Sequence, residues 1–292
     1  MAIQSIDNLI AAISAGKSSS FAWNKITGAS AYTAGRAYDF SSLAGSPIAN
    51  AWAGTALAWT SCNESAGNGT QIFGIPHGGN VSTDVKHMLN LAAITTAATG
   101  VPGTLVLVDL QGYWPGITNN SAVAQTLTGT PTLRYASGAG CRLFLAQTAV
   151  AGATAQNITL SYTDSAGNTG NVMPVTVAMT ASAIVGHISH SGVAANNYGP
   201  YLPLASGDSG VQQVASVTFS AANTGTVALC LAKELARITL GVSSLNHEKD
   251  LLNQIPSLPR VVDGACLVWL YIAGGATAAS TTFMGTTETV WG

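Results

Sequence analysis

The stretch Gln156 to Met179, QNITLSYTDSAGNTGNVMPVTVAM, decides the fold. Ile158, Leu160 and Tyr162 alternate with Asn157, Thr159, Ser161 and Thr163; after a break, Met173, Val175, Val177 and Met179 alternate with Pro174 and Thr176. Successive side chains of an extended chain point to opposite faces, so this spacing predicts two half-buried strands. Between them, Asp164 to Gly170 is dense in residues that tolerate positive φ or bond their own backbone, which predicts a hairpin with a long tip. Pro174 has no N–H to donate, so the returning strand is expected at a sheet edge or at a bulge.

Strand signals recur around this hairpin, at Thr104 to Leu110, Thr130 to Tyr135, Arg142 to Gln147, Ala183 to Ser189, Gln213 to Ser220, Thr226 to Ala232 and Leu267 to Ala273. Turn clusters such as Ser137 to Gly140 and Ala205 to Gly210 separate many of them. Short strands at such intervals predict a mainly β chain, an antiparallel β-sandwich or jelly-roll-like fold. No period of roughly 20 to 50 residues is visible, which disfavours a solenoid or propeller.

The N-terminal part reads as a smaller α+β region. Ile3, Ile6, Leu9, Ile10 and Ile13 recur at helical spacing, Ser5 is placed to cap, and Gly16 ends the run, which predicts a short amphipathic helix. Its apolar stripe must dock on the body or on a neighbouring subunit. A second helix is expected from Asp84 to Ala98, capped by Ser82 or Thr83, with Val85, Met88, Leu89 and Ala92 on one side. Gly112 to Gly116 reads as a turn carrying Tyr113 and Trp114, and His247 to Gln254 as a helical insert before Pro256. At 292 residues the chain is long enough for one large domain or two. A composition shift near Asn120 suggests parts 1–120 and 121–292.

Composition restricts function. Charged residues make up 8% of the chain, against about 25% in an average soluble protein. Such a surface suits a chain that hides much of itself against other subunits; a Ser/Thr-surfaced monomer is the other reading. Ten Lys and Arg against twelve Asp and Glu leave a net charge of −2, with no basic run. Direct nucleic-acid binding is therefore not expected, because it needs clustered cations. MAIQSIDNLIAAISAG lacks a basic n-region and no apolar run reaches about 18 residues, so neither a secretory signal nor a membrane span is expected. Cys62, Cys141, Cys230 and Cys266 lack paired spacing; Cys62 opens a polar loop, while Cys141, Cys230 and Cys266 sit in strand-like runs and read as reduced core thiols of a protein made in cytoplasm.

Several residue groups offer chemistry. Gly207-Asp-Ser-Gly210 matches the core around a serine-protease nucleophile, but no histidine stands in the Ala-Ala-His-Cys setting that chemistry also wants. His187 and His190 could hold a metal with His77, Asp84 or His87 only if the backbone turns between them, since residues three apart on a strand face opposite ways. Asp208, Glu234, Glu248, Asp250 and Asp263 could supply a glycosidase pair, as any scattered acids could. No phosphate loop, dinucleotide fingerprint or calcium loop is present. The expectation is a non-enzyme without cofactor or metal.

Four stretches carry a resemblance: Trp23-Asn-Lys-Ile-Thr-Gly-Ala-Ser-Ala-Tyr-Thr-Ala-Gly-Arg36, Leu110-Gln-Gly-Tyr-Trp-Pro-Gly116, Thr126-Leu-Thr-Gly-Thr-Pro-Thr-Leu-Arg-Tyr135, and His190 to Pro203. Together they resemble a family of tailed-bacteriophage virion structural proteins. The resemblance implies a particle component assembled in the host cytoplasm, and best a capsid decoration or cement protein on the capsid exterior. Its partners would then be the major capsid protein and two further copies of itself. Ile6, Leu9, Ile13, Trp23, Tyr32, Tyr38, Phe40, Trp52, Trp59, Tyr113 and Trp114 are the candidate interface anchors. The alternatives are another virion position, at the tail, portal vertex or minor capsid, and a carbohydrate-binding adhesin using exposed Tyr and Trp, with Tyr113 and Trp114 as the residues to test, or an enzyme on glycans.

Overall fold

The computed structural model describes residues 3–64, 67–68, 71–193, 199–250, 252 and 258–292. The chain is mainly β, with 46% of residues in strands and 7% in helices. In chain order it begins with α1 (Ile6–Ser14), β1 (Ser18–Ile26), β2 (Ala37–Asp39), β3 (Ala44–Ser46), β4 (Thr60–Ser61), β5 (Gly67–Asn68) and β6 (Gln71–Ile72). There follow β7 (Lys86–Thr95), β8 (Gly103–Thr118), β9 (Gln125–Thr126), β10 (Cys141–Ala149), β11 (Gln156–Asp164), β12 (Asn171–Val172) and β13 (Val177–Met179). The last are β14 (Val211–Phe219), β15 (Thr226–Leu240), β16 (His247–Asp250), β17 (Leu267–Ala273) and β18 (Thr282–Trp291).

A central sheet has the order β10-β15-β8-β17-β2, with β4 added on β8. Its strands are apolar on both faces because both are covered. On one face, Leu105, Leu107, Ala236, Ile238, Trp269 and Tyr271 pack against a second sheet, β16-β7-β18-β1-β3, through Trp23, Met88, Leu91 and Phe283. Farther along the same strands, Trp114, Leu143, Leu145, Leu229 and Leu231 meet a third sheet, β12-β11-β14-β9, through Ile158, Leu160, Tyr162, Val214 and Val217. The alternate residues, Val106, Val108, Leu110, Ala228, Cys230 and Ala232, face the other way and are covered by Cys62, Phe73, Ile188 and Tyr201. The result is a sandwich-like arrangement in which one long sheet supports two shorter ones.

The hairpin forms at 156–179, but the alternation of its returning strand fails at Val175, which is exposed between the buried Met173 and Val177. β12 and β13 both pair antiparallel with β11, and the returning strand breaks between them at 173–176, around Pro174. That strand lies on an edge, where a missing donor interrupts no central ladder.

The expected helix from Asp84 to Ala98 is instead strand β7, paired with β16 and β18. Its buried residues are Lys86, Met88, Leu91, Ala93 and Thr95, a two-residue alternation with one slip. The slip is a bulge: Asn90 pairs with Glu288 and Met88 with Thr289, leaving Leu89 extra. The resulting three-residue step from Met88 to Leu91 imitates helical spacing. Thr83 has φ +81° and caps nothing. His247–Asp250 is likewise a strand, and the expected helical insert beyond Asp250 falls mostly outside the described residues. Among the described residues, the α content of the N-terminal region is α1 alone, with short 3-10 turns.

Gly112 to Gly116 is no turn but the continuation of β8. Register shifts against β15 absorb Gln111 and the Pro115 region, so the proline sits where the ladder is already interrupted. Gly112 is required there: a Cβ would lie 2.4 Å from the Thr60 carbonyl and 2.5 Å from the Trp59 ring. The runs Thr130 to Tyr135 and Ala183 to Ser189 are irregular rather than strands, apart from isolated bridges at His187 and Ile188. β1 and β7 pair with β18, and β8 pairs with β15 and β17, so strands from both sides of residue 120 share two sheets.

Candidate functional site

Helix α1 carries three exposed isoleucines, Ile6, Ile10 and Ile13. Ser5 caps it, its side chain accepting from the Asn8 N–H at 3.1 Å, and Asp7 stands in the first turn, where a negative charge suits the helix dipole. Leu9 and Ala12 turn inward against Val290, Ile3 and Leu89. Lys17 ties the exit to Asp84 at 2.7 Å. A gap of about 260 Å³ remains between the helix and the body, bordered by Ile3, Ala11, Ala12, Ala15 and Gly292. On the outer side Ile6, Ile10 and Ile13 are 63%, 57% and 43% exposed. Their spacing puts them one above another on the helix surface.

The aromatic candidates have another role. Trp23, Tyr32, Tyr38, Phe40, Tyr113 and Trp114 are all buried within this chain. Tyr32 and Tyr38 stack with ring centroids 3.6 Å apart, and Phe40 packs against Tyr271 and Phe283. Trp52 and Trp59 are half-buried and lean on Tyr113 and Trp114 respectively. An adhesin reading based on exposed Tyr113 and Trp114 therefore loses its residues. By those ring contacts, Trp52 and Trp59 pin their loops to the central sheet.

The candidate chemical groups are committed to local contacts. Asp208 accepts from the Tyr162 hydroxyl at 2.6 Å, and the Ser209 hydroxyl bonds Ser165 rather than a histidine. Glu234 pairs with Arg237, Glu248 accepts from Asn90, Asp250 from the Leu252 N–H, and Asp263 from the Val81 N–H. His87 bonds the Leu258 carbonyl. Burial lowers the pKa of His187 to about 3, with Arg36 and His190 adding to the effect. Burial lowers that of His190 to about 4. Both rings are neutral at physiological pH. Among the described residues, no three His, Cys, Asp or Glu side chains come together as a metal set. All four cysteines are free and buried; burial raises the Cys266 thiol well above its usual range, with the neighbouring Cys62 thiol as the next cause.

Among the described residues, several buried charges gather networks that were not foreseen. Lys25 donates to the carbonyls of Leu43, Pro47 and Ile48, and burial brings its pKa down to about 8. Asp109 receives two donors from Arg134 and the backbone N–H of Cys266. Lys86 meets His77 and the Gly79 carbonyl, with Glu64 beyond the ring. The one signal in the sequence was a charged residue inside an otherwise apolar run, as with Asp109 in TLVLVDL, because a buried charge needs partners. The Lys25 and Asp109 networks fasten segments distant in sequence, and the Lys86 network fastens the 73–80 loop to the strand that follows it.

No protein-family model matches the chain, and neither a curated protein nor a solved structure matches it.

Proposed function

We propose that the chain is a non-enzymatic structural protein of a tailed-bacteriophage particle, and that it decorates the capsid as a trimer bridging major capsid subunits. The observation that carries this reading is the isoleucine strip of α1. Three large apolar side chains aligned on one helix, outside the fold's own core, cost hydration in a free monomer and favour a partner surface. The sparse surface charge supports association in the same way. A second uncharged patch, around Ile26, Val150 and Val185, opens a groove of about 370 Å³ on the β1–β3 side. The four sequence stretches that resemble virion proteins supply the choice of partner.

Bridging would act through multivalency. Each contact is small, but three linked contacts raise the effective concentration of the second and third. The test is to mix the purified chain, and an Ile6→Ser, Ile10→Ser, Ile13→Ser variant, with capsids emptied of DNA and lacking it. The wild type saturates the shell and raises its melting temperature, while the variant stays folded and binds poorly. Equal occupancy by the variant would remove α1 from the contact, and binding to tails alone would place the protein elsewhere in the particle.

A further inference from the structure

A cavity of about 650 Å³ opens where three segments converge. Arg134, Tyr135 and Ala139 come from the connection before β10, Lys233 to Leu235 from β15, and Pro259, Arg260 and Val262 from the approach to β17. The pairing of β15 with β8 slips between Glu234 and Ala236 at this point, leaving Leu235 as an extra residue beside the cavity. The volume is that of a small-molecule site, about 300 to 1,000 Å³.

Its charge is unlike that of the whole chain. Three of the ten Lys and Arg residues line this one cavity. Arg134 is neutralised by Asp109 and also donates to the carbonyls of Cys62 and Leu110. It forms a fixed wall. Glu234, the lone acid of the lining, is held by Arg237 and accepts from the Tyr201 hydroxyl. Lys233 and Arg260 have no carboxylate partner among the described residues. Nζ of Lys233 lies 4.1 Å from the centre of the Tyr135 ring and 3.3 Å from the Ala139 carbonyl, and Arg260 is exposed. Two uncompensated cations thus flank a surface made of Tyr135, Leu235, Pro259 and Val262.

We propose that this cavity binds a small organic oxyanion, a carboxylate or phosphate carried on a flat apolar body. Lys233 and Arg260 hold the anionic group, and Tyr135, Leu235 and Val262 take the body. Apolar lining with a few placed charges is the usual composition of such sites, and charge-assisted hydrogen bonds supply the selectivity. The assignment is independent of the particle role.

The test uses phenyl phosphate, benzoate and neutral benzamide as probes in calorimetric titrations of the full chain. Saturable binding of either anion, absent for benzamide and weakened by added salt, is expected. Affinity falls about tenfold for each cation removed in Lys233→Met and Arg260→Gln, while Lys249→Met on β16 leaves it unchanged. Phenyl phosphate against benzoate decides between the two oxyanions. Failure of both anions to bind, equal binding of benzamide, or unchanged affinity in the double variant would overturn the proposal. Binding of a glutamate-rich peptide with neither small anion would also overturn it and assign the surface to a protein. If the double variant does not fold, Arg260→Gln alone decides, because Arg260 is an exposed side chain.

Discussion

Nζ of Lys86 lies 2.9 Å from Nδ1 of His77, and both side chains are buried. An ammonium has only protons to give, so Nδ1 is the acceptor and the ring's proton sits on Nε2. From there it points to the Ala265 carbonyl at 2.9 Å and to Glu64 at 3.2 Å. Burial, then the Lys86 charge, lowers the His77 pKa. Burial also lowers that of Lys86, partly offset by Asp263 and Glu64. The pair fastens the 73–80 loop to β7.

Lys86→Met leaves the His77 Nδ1 and the Gly79 carbonyl without their donor. A loss of about 2–4 kcal/mol is expected, at about 1–3 kcal/mol for each buried group left unpaired. His77→Phe removes an acceptor from a buried ammonium and is expected to cost about 3–5 kcal/mol. Urea unfolding of the two single variants and the double variant gives the coupling. Additive single effects would mean the pair does not act as a unit.

Asp109 sits in the middle of β8 with no exposure, and Arg134 grips both its oxygens. Asp109→Asn leaves a buried guanidinium facing a neutral amide, and Arg134→Met leaves a buried carboxylate. Each is expected to lose about 3–5 kcal/mol. Combining Asp109→Leu with Arg134→Met should recover much of that, since an apolar pair carries no charge to desolvate. Chemical denaturation distinguishes these outcomes.

Stability should fall on acidification below neutrality. His187 and His190 titrate near 3 and 4 in the folded chain, against about 6.5 when unfolded. Between those values the unfolded state binds more protons, so stability is full above about pH 6.5 and drains away as pH drops toward the folded values. At about 1.4 kcal/mol per pH unit for each histidine, both together remove roughly 5 kcal/mol by about pH 4.5. Urea midpoints at a series of pH values measure this. His187→Gln should flatten the slope by about half, and an unchanged slope would assign it to other groups.

Gly112→Ala tests the close approach of β4 to β8. The added methyl meets the Thr60 carbonyl and the Trp59 ring, and a loss of about 1–3 kcal/mol is expected from overpacking. Thermal melts suffice, and an unchanged melting temperature would mean that β4 shifts freely.

The parts of the fold legible in the sequence were those governed by one rule at a time. The 156–179 hairpin and helix α1 follow from period, turn residues and a serine cap, and each stands where that logic puts it except at Val175, which turns outward beside Pro174 where the returning strand breaks. β7 was illegible because a bulge at Leu89 converts a two-residue period into a three-residue step. Gly112 and Pro115 read as a turn because both usually break strands, whereas here one makes room for Trp59 and the other fills a register shift. Tertiary pairing overrode local preference at both places. Among the candidate site residues, exposure could not be told from aromatic content alone: Trp23 and Trp114 are core, while the isoleucines of α1 are outside. The buried fasteners depend on residues far apart in sequence, such as Asp109 and Arg134, whose meeting only the folded chain discloses.

We propose that the chain bridges capsid subunits through surfaces that include α1. The most direct measurement is light scattering coupled to size-exclusion chromatography, followed by titration onto emptied capsids that lack the chain. A trimer that saturates the shell and raises its melting temperature is the predicted result, because binding favours the assembled state. A monomer that leaves capsids unbound and their melting temperature unchanged would contradict it.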